Sequence, residues 1–289
     1  MPERLEDVAA RLASIGELEG LVNAMRLLAA ARMQQAQASL PALRAYAAVV
    51  GGAIAEGISL LPSTPGPQRR LAARAPRGLV LFCAEHGFAG AFSRRLIDAA
   101  IPGGEPPPAL FVVGSRGAMA AREAGLIPAW TLPMATQIGA VTETAHRITE
   151  ELYRRFSAGL LAAVGTLFAR YEVGGHSIVT RQELLPVDLT AFRGPREARS
   201  PPLVNLDPRR LLERLVEEYF YAELARAAME SFASENGARL TAMQSARDNI
   251  ERNLDELRGI ERRLWQEQIT AEILEIVTGA NAAGGGPFL

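Results

Sequence analysis

The stretch Met243-Gln-Ser-Ala-Arg-Asp-Asn-Ile250-Glu-Arg-Asn-Leu-Asp-Glu-Leu257-Arg-Gly-Ile-Glu-Arg-Arg-Leu264 places an apolar residue at every seventh position. Met243, Ile250, Leu257 and Leu264 carry the repeat, and Leu240, Ala246, Leu254 and Ile260 flank it. On a helix of 3.6 residues per turn such a stripe drifts unless two helices coil round each other with a left hand. The stretch therefore predicts one strand of a coiled coil, and a strand of that kind needs a partner. From Pro208 to Val277 there is no proline, and Gly237 and Gly259 are the only glycines. A helix of roughly 100 Å is expected, at 1.5 Å per residue. Asp207 before Pro208 is its start signal. Leu211, Leu215, Leu224 and Ala228 keep an apolar face, and Tyr219, Phe220 and Tyr221 predict a wider contact there. Gly279 is expected to end the helix and Gly284 to Gly286 to leave a flexible tail. The alternating charges of Glu251 to Arg263 read as a solvated face.

The partner lies at the other end of the chain. Between Glu3 and Gly57 the only proline is Pro41, and Val8, Ile15, Val22, Ala29, Ala36 and Leu43 form a second seven-residue series. Leu5 and Leu12 stand beside its start, while Leu18, Met25, Met33 and Leu40 extend an adjacent ridge. A narrow stripe of this kind marks a coiled-coil seam. At 1.5 Å per residue the helix reaches roughly 80 Å. Pro41 removes a hydrogen bond and crowds the preceding turn, which leaves open whether the helix bends or ends there. Two such helices bury their seams most simply against each other, antiparallel if the residues between them form one domain. Each fully buried seam residue contributes on the order of 1.5–3 kcal/mol. The C-terminal helix is the longer one, so Ile269, Ile273, Ile276 and Val277 near its end require cover from another protein.

The middle of the chain has a different rhythm. Gly78-Leu-Val-Leu-Phe-Cys-Ala84 and Ala109-Leu-Phe-Val-Val-Gly114 are short apolar runs bounded by turn residues, as strands buried on both faces would be. Phe92–Ile101, Ser115–Gly125 and Val141–Phe156 read as helices, Ala129–Leu132 as a short strand, and Ala163–Val173 and Ser177–Leu189 as strands joined at Gly174-Gly175. This alternation gives an open α/β, Rossmann-like sheet. The expected division is a first helix over 1–58, a proline-rich linker over 59–76, the α/β domain over 77–192, a linker over 193–207, a second helix over 208–279 and a tail over 280–289.

Composition narrows the function. A net charge of −1 supplies no global field for nucleic acid or anionic lipid. No run approaches the ~20 uncharged apolar residues of a membrane span, and no targeting peptide is read at the amino terminus. The lone Cys83 leaves no internal disulfide and no multi-cysteine metal site, and as part of a buried strand it reads as an inert thiol. All 31 basic residues are arginine, which excludes a lysine-bearing phosphate loop and Schiff-base chemistry. Gly87 and Gly90 follow a strand, but the Gly-x-Gly-x-x-Gly pattern is missing. Gly114-Ser-Arg-Gly117 fits an anion at a helix start, and equally a plain strand-to-helix turn. His86, His146 and His176 are too dispersed for a metal site, and Glu85 with His86 is a catalytic pair only if further groups converge. No catalytic residue, cofactor or metal is expected.

The C-terminal residues Ile269-Thr270-Ala271-Glu272-Ile273-Leu274-Glu275-Ile276-Val277-Thr278-Gly279-Ala280-Asn281-Ala282 resemble the signature of the γ subunit family of F-type ATP synthases. That signature is Ile-Thr-x-Glu, an acidic residue three further on, then Gly-Ala-x-small. Leu206-Asp-Pro-Arg-Arg-Leu-Leu212, Ala233-Ser-Glu-Asn-Gly-Ala-Arg-Leu-Thr-Ala-Met243, Gln182-Glu-Leu-Leu-Pro186, Ala24-Met25-Arg26 and Ala29-Ala30-Ala31-Arg32 are also similar to family segments, in the family's order. The chain departs from the pattern at three places. Glu17-Leu-Glu-Gly-Leu-Val-Asn23 replaces a basic Thr-x-Lys-Ile-Thr-Lys run, Glu85-His86-Gly87-Phe88-Ala89-Gly90-Ala91 replaces Asp-Arg-Gly-Leu-Cys-Gly-Gly, and Trp265-Gln266 replaces Arg-Gln.

The resemblance implies a non-catalytic rotor shaft standing inside a hexamer of α and β subunits, with its α/β foot on the membrane c-ring beside the ε subunit. It implies that Met25, Arg26, Gln266, Thr270 and Glu272 make breakable contacts with β, and that Ile273, Ile276 and Val277 turn in an apolar bearing. Seam packing accounts for Met25 equally well. The expected location is the cytoplasmic side of a bacterial plasma membrane, peripheral through the complex. The competing readings are a nucleotide-binding α/β enzyme that dimerises through its long helices and a coiled-coil scaffold.

Overall fold

The computed structural model describes residues 4–61, 75–101, 109–172, 177–192 and 203–284, with side chains to residue 279. Its elements run α1 (Leu5–Ser59), β1 (Arg77–Phe82), α2 (Phe92–Ala100), β2 (Ala109–Val113), α3 (Ser115–Glu123), β3 (Trp130–Leu132), α4 (Val141–Ser157), β4 (Ala163–Tyr171), β5 (Ser177–Leu185) and α5 (Pro208–Gly284). Short 3-10 turns occupy Ile138–Ala140 and Leu189–Phe192. The chain divides into two compact units, Met1–Leu27 with Met243–Leu289, and Leu28–Ala242.

In the unit built from the chain ends, the less exposed positions step by three and four. On α1 they include Val8, Leu12, Ile15, Glu19, Val22 and Arg26, and on α5 Met243, Arg247, Ile250, Leu254, Leu257, Glu261 and Leu264. This is the seven-residue seam read from the sequence. Leu18, expected beside it, is instead exposed, because each helical residue turns about 100° and position 18 falls outside the stripe that passes through 15 and 19.

In the unit Leu28–Ala242, β3-β2-β1-β4-β5 form one sheet, with β3, β2, β1 and β4 parallel and β5 antiparallel to β4. Its strands bury alternate residues on opposite faces. Leu79, Leu81 and Cys83 pack with Phe92, Leu96 and Ile97 of α2 and with Ala118 and Ala121 of α3. Val80, Phe82, Phe111 and Phe168 pack with Ile148 and Leu152 of α4, with Phe220, Leu224 and Phe232 of α5, and with Ala36 and Leu40 of α1. The expected mixed α/β sheet with long terminal helices is therefore the observed fold. From Phe220 to Arg239 nearly every residue of α5 is buried, the polar Glu223, Glu230, Ser231, Ser234, Glu235, Asn236 and Arg239 included.

Within this unit α1 and α5 run antiparallel. Met33 lies against Gly237, Arg44 pairs with Glu230, Gly51 lies against Tyr219, and Gly57 against Leu215 and Leu212, so numbers rise on one helix as they fall on the other. Pro41 neither ends nor breaks α1. An 18-residue window of this helix has a mean hydropathy of 1.3 and passes as a membrane span by length and composition, although no uncharged run in it approaches ~20 residues. Its alanines and scarce charges produce that value, and Ala36, Leu40, Ala47, Val50 and Ile54 of the same helix are buried in the protein.

Several boundaries differ from the sequence reading. Helix α5 continues through Gly279 to Gly284, because one glycine costs about 1 kcal/mol relative to alanine and Ala280, Ala282 and Ala283 favour the helix. Strand β5 stops at Leu185, before Pro186, which has no N–H to donate to a ladder. Strand β4 stops at Tyr171. The Gly174-Gly175 turn, most of both expected linkers and the end of the tail lie outside the described residues.

The loops after the strands are pinned by polar groups. Glu85 accepts hydrogen bonds from Ser115 N (2.9 Å), Ser115 Oγ (2.7 Å) and Met134 N (2.7 Å), so the start of α3 does hold an anion, the chain's own carboxylate. Gly114 there has φ +111, and a Cβ on Gly117 would stand 2.0 Å from Cys83 Cβ. Burial, with Glu235 nearby, pushes the Cys83 thiol up to about 12, consistent with an inert packed sulfur. Gly117→Ala should therefore cost about 1–3 kcal/mol or more through overpacking, read as a lower urea midpoint at unchanged slope. An unchanged midpoint would mean that α3 can move off β1.

Arg239 donates to Glu235 Oε1 (2.5 Å) and to the carbonyls of His86 and Gly87 (3.4 Å each), tying α5 to the loop after β1. Burial raises the Glu235 carboxyl above its ordinary value, and Arg239 opposes the shift. Such a group contributes stability that is fully present below the unfolded pKa of about 4.3 and is lost as pH rises through the folded value. Arg239→Met strands the carboxylate and should cost about 3–5 kcal/mol at neutral pH. The loss should shrink on acidification as the carboxyl protonates, and urea titrations at neutral and at acidic pH compare the two. Equal losses at both pH values would contradict this.

Candidate functional site

Two places compete for the functional site, and the first is the carboxyl edge of the sheet. In an open parallel sheet, ligands bind outside the strand ends where the winding reverses, here between β1 and β4. That crevice is filled by α5. Ser231 Oγ donates to Phe82 O (2.7 Å) at the end of β1, Ser234 Oγ to Ala169 O (2.8 Å) near the end of β4, and Arg239 closes over the next loop. All three side chains are buried. Glu85, the acidic half of the weighed catalytic pair, is taken up by Ser115 and Met134, and no hydrogen bond or ion pair joins it to His86. The edge where a nucleotide would sit is thus packed with the protein's own helix.

The second place is the unit built from the chain ends. Ile273, Leu274, Ile276 and Val277 are 55%, 59%, 70% and 51% exposed on consecutive turns of α5. Four large aliphatic side chains left bare on one short stretch mark a contact surface rather than scattered surface residues. Leu274 completes the set although the sequence reading had not singled it out. Its signal was the adjacent pairs Ile273-Leu274 and Ile276-Val277, which widen the apolar side beyond a seam. Ile269, expected to need cover, is already half-buried.

The polar candidates occupy the same unit. Met25 and Arg26 are half-buried, and Arg26 donates to Asn23 Oδ1 at 3.0 Å. Gln266, Thr270 and Glu272 are exposed. Thr270 Oγ donates to Gln266 O (2.8 Å), and Glu272 accepts from Gln268 Nε2 (3.1 Å), both within the helix. Among the described residues no hydrogen bond or ion pair joins Met25 or Arg26 to these three, so the candidates form two separate patches. Leu21 and Leu27, at 57% and 55% exposure, extend the first patch, and Trp265, at 58%, adjoins the second.

Known proteins match this arrangement along its whole length. The family model described as ATP synthase covers residues 4–283. The ATP synthase gamma chain of Rhizorhabdus wittichii is 28% identical over 96% of this chain and 99% of its own length. That of Moorella thermoacetica is 28% identical over 96% and 98%. A chain of the Euglena gracilis mitochondrial ATP synthase, solved as its OSCP, F1 and c-ring assembly, superposes with a TM-score of 0.66 at 14% identity, covering 99% of this chain and 97% of that one. A chain of the Tetrahymena thermophila mitochondrial central stalk and c-ring has a TM-score of 0.53 at 20% identity, over 78% and 99%. These two share the fold. With long terminal helices around a five-stranded sheet and full-length similarity to curated γ chains, this protein belongs to the ATP synthase family as one of its γ chains.

Proposed function

We propose that this γ chain acts as the central rotor element of its ATP synthase, carrying no catalytic group of its own. The observation that carries the reading is the bare apolar end of α5, Ile273 to Val277, on a helix whose remaining seam is covered. An exposed aliphatic stretch of this kind is unfavourable in water and is stabilised inside an apolar sleeve. A sleeve contacting it only through non-directional apolar surfaces lets it turn, because no hydrogen bond must break. Ile273, Ile276 and Val277 would form that bearing, with Leu274 beside them.

Torque requires the opposite kind of contact. Gln266, Thr270 and Glu272 offer exposed donors and acceptors, and Met25 and Arg26 a second patch on the other helix. Hydrogen bonds to β subunits from these groups would form at some angles and break at others. A rotor that presents different faces to successive catalytic subunits favours a different conformation in each, which is a population shift imposed mechanically. The α/β sheet would rest on the c-ring beside ε. The chain would sit peripherally on the cytoplasmic face of a bacterial membrane, as its similarity to bacterial γ chains supports.

The nucleotide-enzyme reading loses its site to Ser231, Ser234 and Arg239, which fill the crevice it needs. The triple variant Gln266→Ala, Thr270→Ala, Glu272→Ala should lower both ATP hydrolysis and ATP-driven ion pumping of the assembled complex, by about tenfold if each lost bond is worth ~0.5 kcal/mol. Wild-type rates for both in a fully assembled complex would refute these residues as the coupling contacts.

A further inference from the structure

The surface that α5 buries mixes large side chains, Phe220, Leu224, Met229 and Phe232, with Ala222, Ala225, Ala227, Ala228 and Ala233, which are fully buried and present only methyl groups. Apolar contact resists separation, because pulling it apart exposes surface to water. It resists sliding weakly, because a methyl face shifted along a neighbour keeps much of its contact. A helix that must carry torque into a sheet needs directional bonds across the join.

One polar chain supplies them. Gln182 on β5 donates to Glu223 Oε2 (2.6 Å) and accepts from Arg226 Nη2 (2.6 Å), and Arg226 also donates to Glu223 (2.7 Å). Arg226 Nη1 stands 4.0 Å from Glu230, and Glu230 accepts from Arg44 Nη2 of α1 at 2.7 Å. The Arg226 guanidinium also lies over the Phe168 ring of β4, 5.6 Å from its centroid. Glu230 is 1% exposed and Glu223 6%. A second strap, Tyr46 to Glu218, joins the two helices nearer the start of α5.

Buried charges are costly to desolvate, and an apolar replacement of the same volume is often as stable. What such a replacement lacks is direction. We propose that the Gln182–Glu223–Arg226–Glu230–Arg44 chain is a shear lock, a set of positioning residues that fixes α1 and α5 against the sheet so that twisting at one is delivered to the other. The lock rests on the rotor reading given above. It spans three elements through five side chains, and Arg226 is its centre, since its fork alone reaches β5 and two acidic residues of α5.

The test separates holding the fold together from resisting twist. In the triple variant Gln182→Leu, Glu223→Leu, Arg226→Met the polar centre becomes apolar. The full complex carrying it should assemble and hydrolyse ATP, with a thermal midpoint at or above that of the wild type. Its rotor should be torsionally softer by about twofold or more in bead-fluctuation measurements. Wild-type stiffness would overturn the proposal. Should the triple variant fail to assemble, Arg226→Lys decides. It keeps the charge but not the fork, and must soften the rotor if the lock exists. Failure of the wild-type chain itself to assemble into an ATP-hydrolysing complex would instead overturn the rotor reading.

Discussion

The segment of α5 from Phe220 to Arg239 is buried against two partners at once, and the rest of the structure follows from that. One side of it closes the sheet face made by Val80, Phe82, Phe111 and Phe168, and another meets α1 around Ala36 and Leu40. A helix packed on both sides cannot be exposed without opening both contacts. It therefore joins the first and last helices to the sheet in one cooperative unit, and it closes the crevice in which related α/β folds hold ligands.

Polar groups do the aiming within this apolar frame. Ser231 and Ser234 satisfy strand-end carbonyls, Arg239 holds the loop after β1, and Glu85 binds the start of α3. Each occupies a position where an open-sheet enzyme would present its own groups to a substrate. Here they face the chain itself. Gln266, Thr270 and Glu272 lie instead exposed on the unit built from the chain ends, where the hydrogen bonds of Thr270 and Glu272 stay within their own helix.

Much of this was legible in the sequence, because coiled-coil seams and buried parallel strands leave strong periodic signals. Met243, Ile250, Leu257 and Leu264 marked a seam that the structure places as read, and Gly78 to Ala84 marked a strand buried on both faces. The misses share a physical origin. A single glycine is a weak stop when its neighbours favour a helix, so α5 runs through Gly279, and α1 runs through Pro41, where the sequence reading had left the outcome open. Leu18 looked like a seam residue because hydrophobicity alone does not report the angle at which a side chain leaves the helix. The long-range polar chain from Arg44 to Gln182 was invisible, since charged residues at helical spacing read as a solvated face until tertiary packing buries them. Leu274 was overlooked because the seam-based reading attends to one narrow stripe of a helix, whereas the apolar residues of the exposed end spread beyond it.

Amide hydrogen exchange of the whole chain tests the double burial of α5 most directly. The account predicts that amides from Phe220 to Arg239 exchange only with global unfolding, together with those of β1 and β4, while amides beyond Gln266 exchange rapidly through local fraying. Comparable rapid exchange in both segments would contradict it, because the helix would then be held by neither the sheet nor its partner.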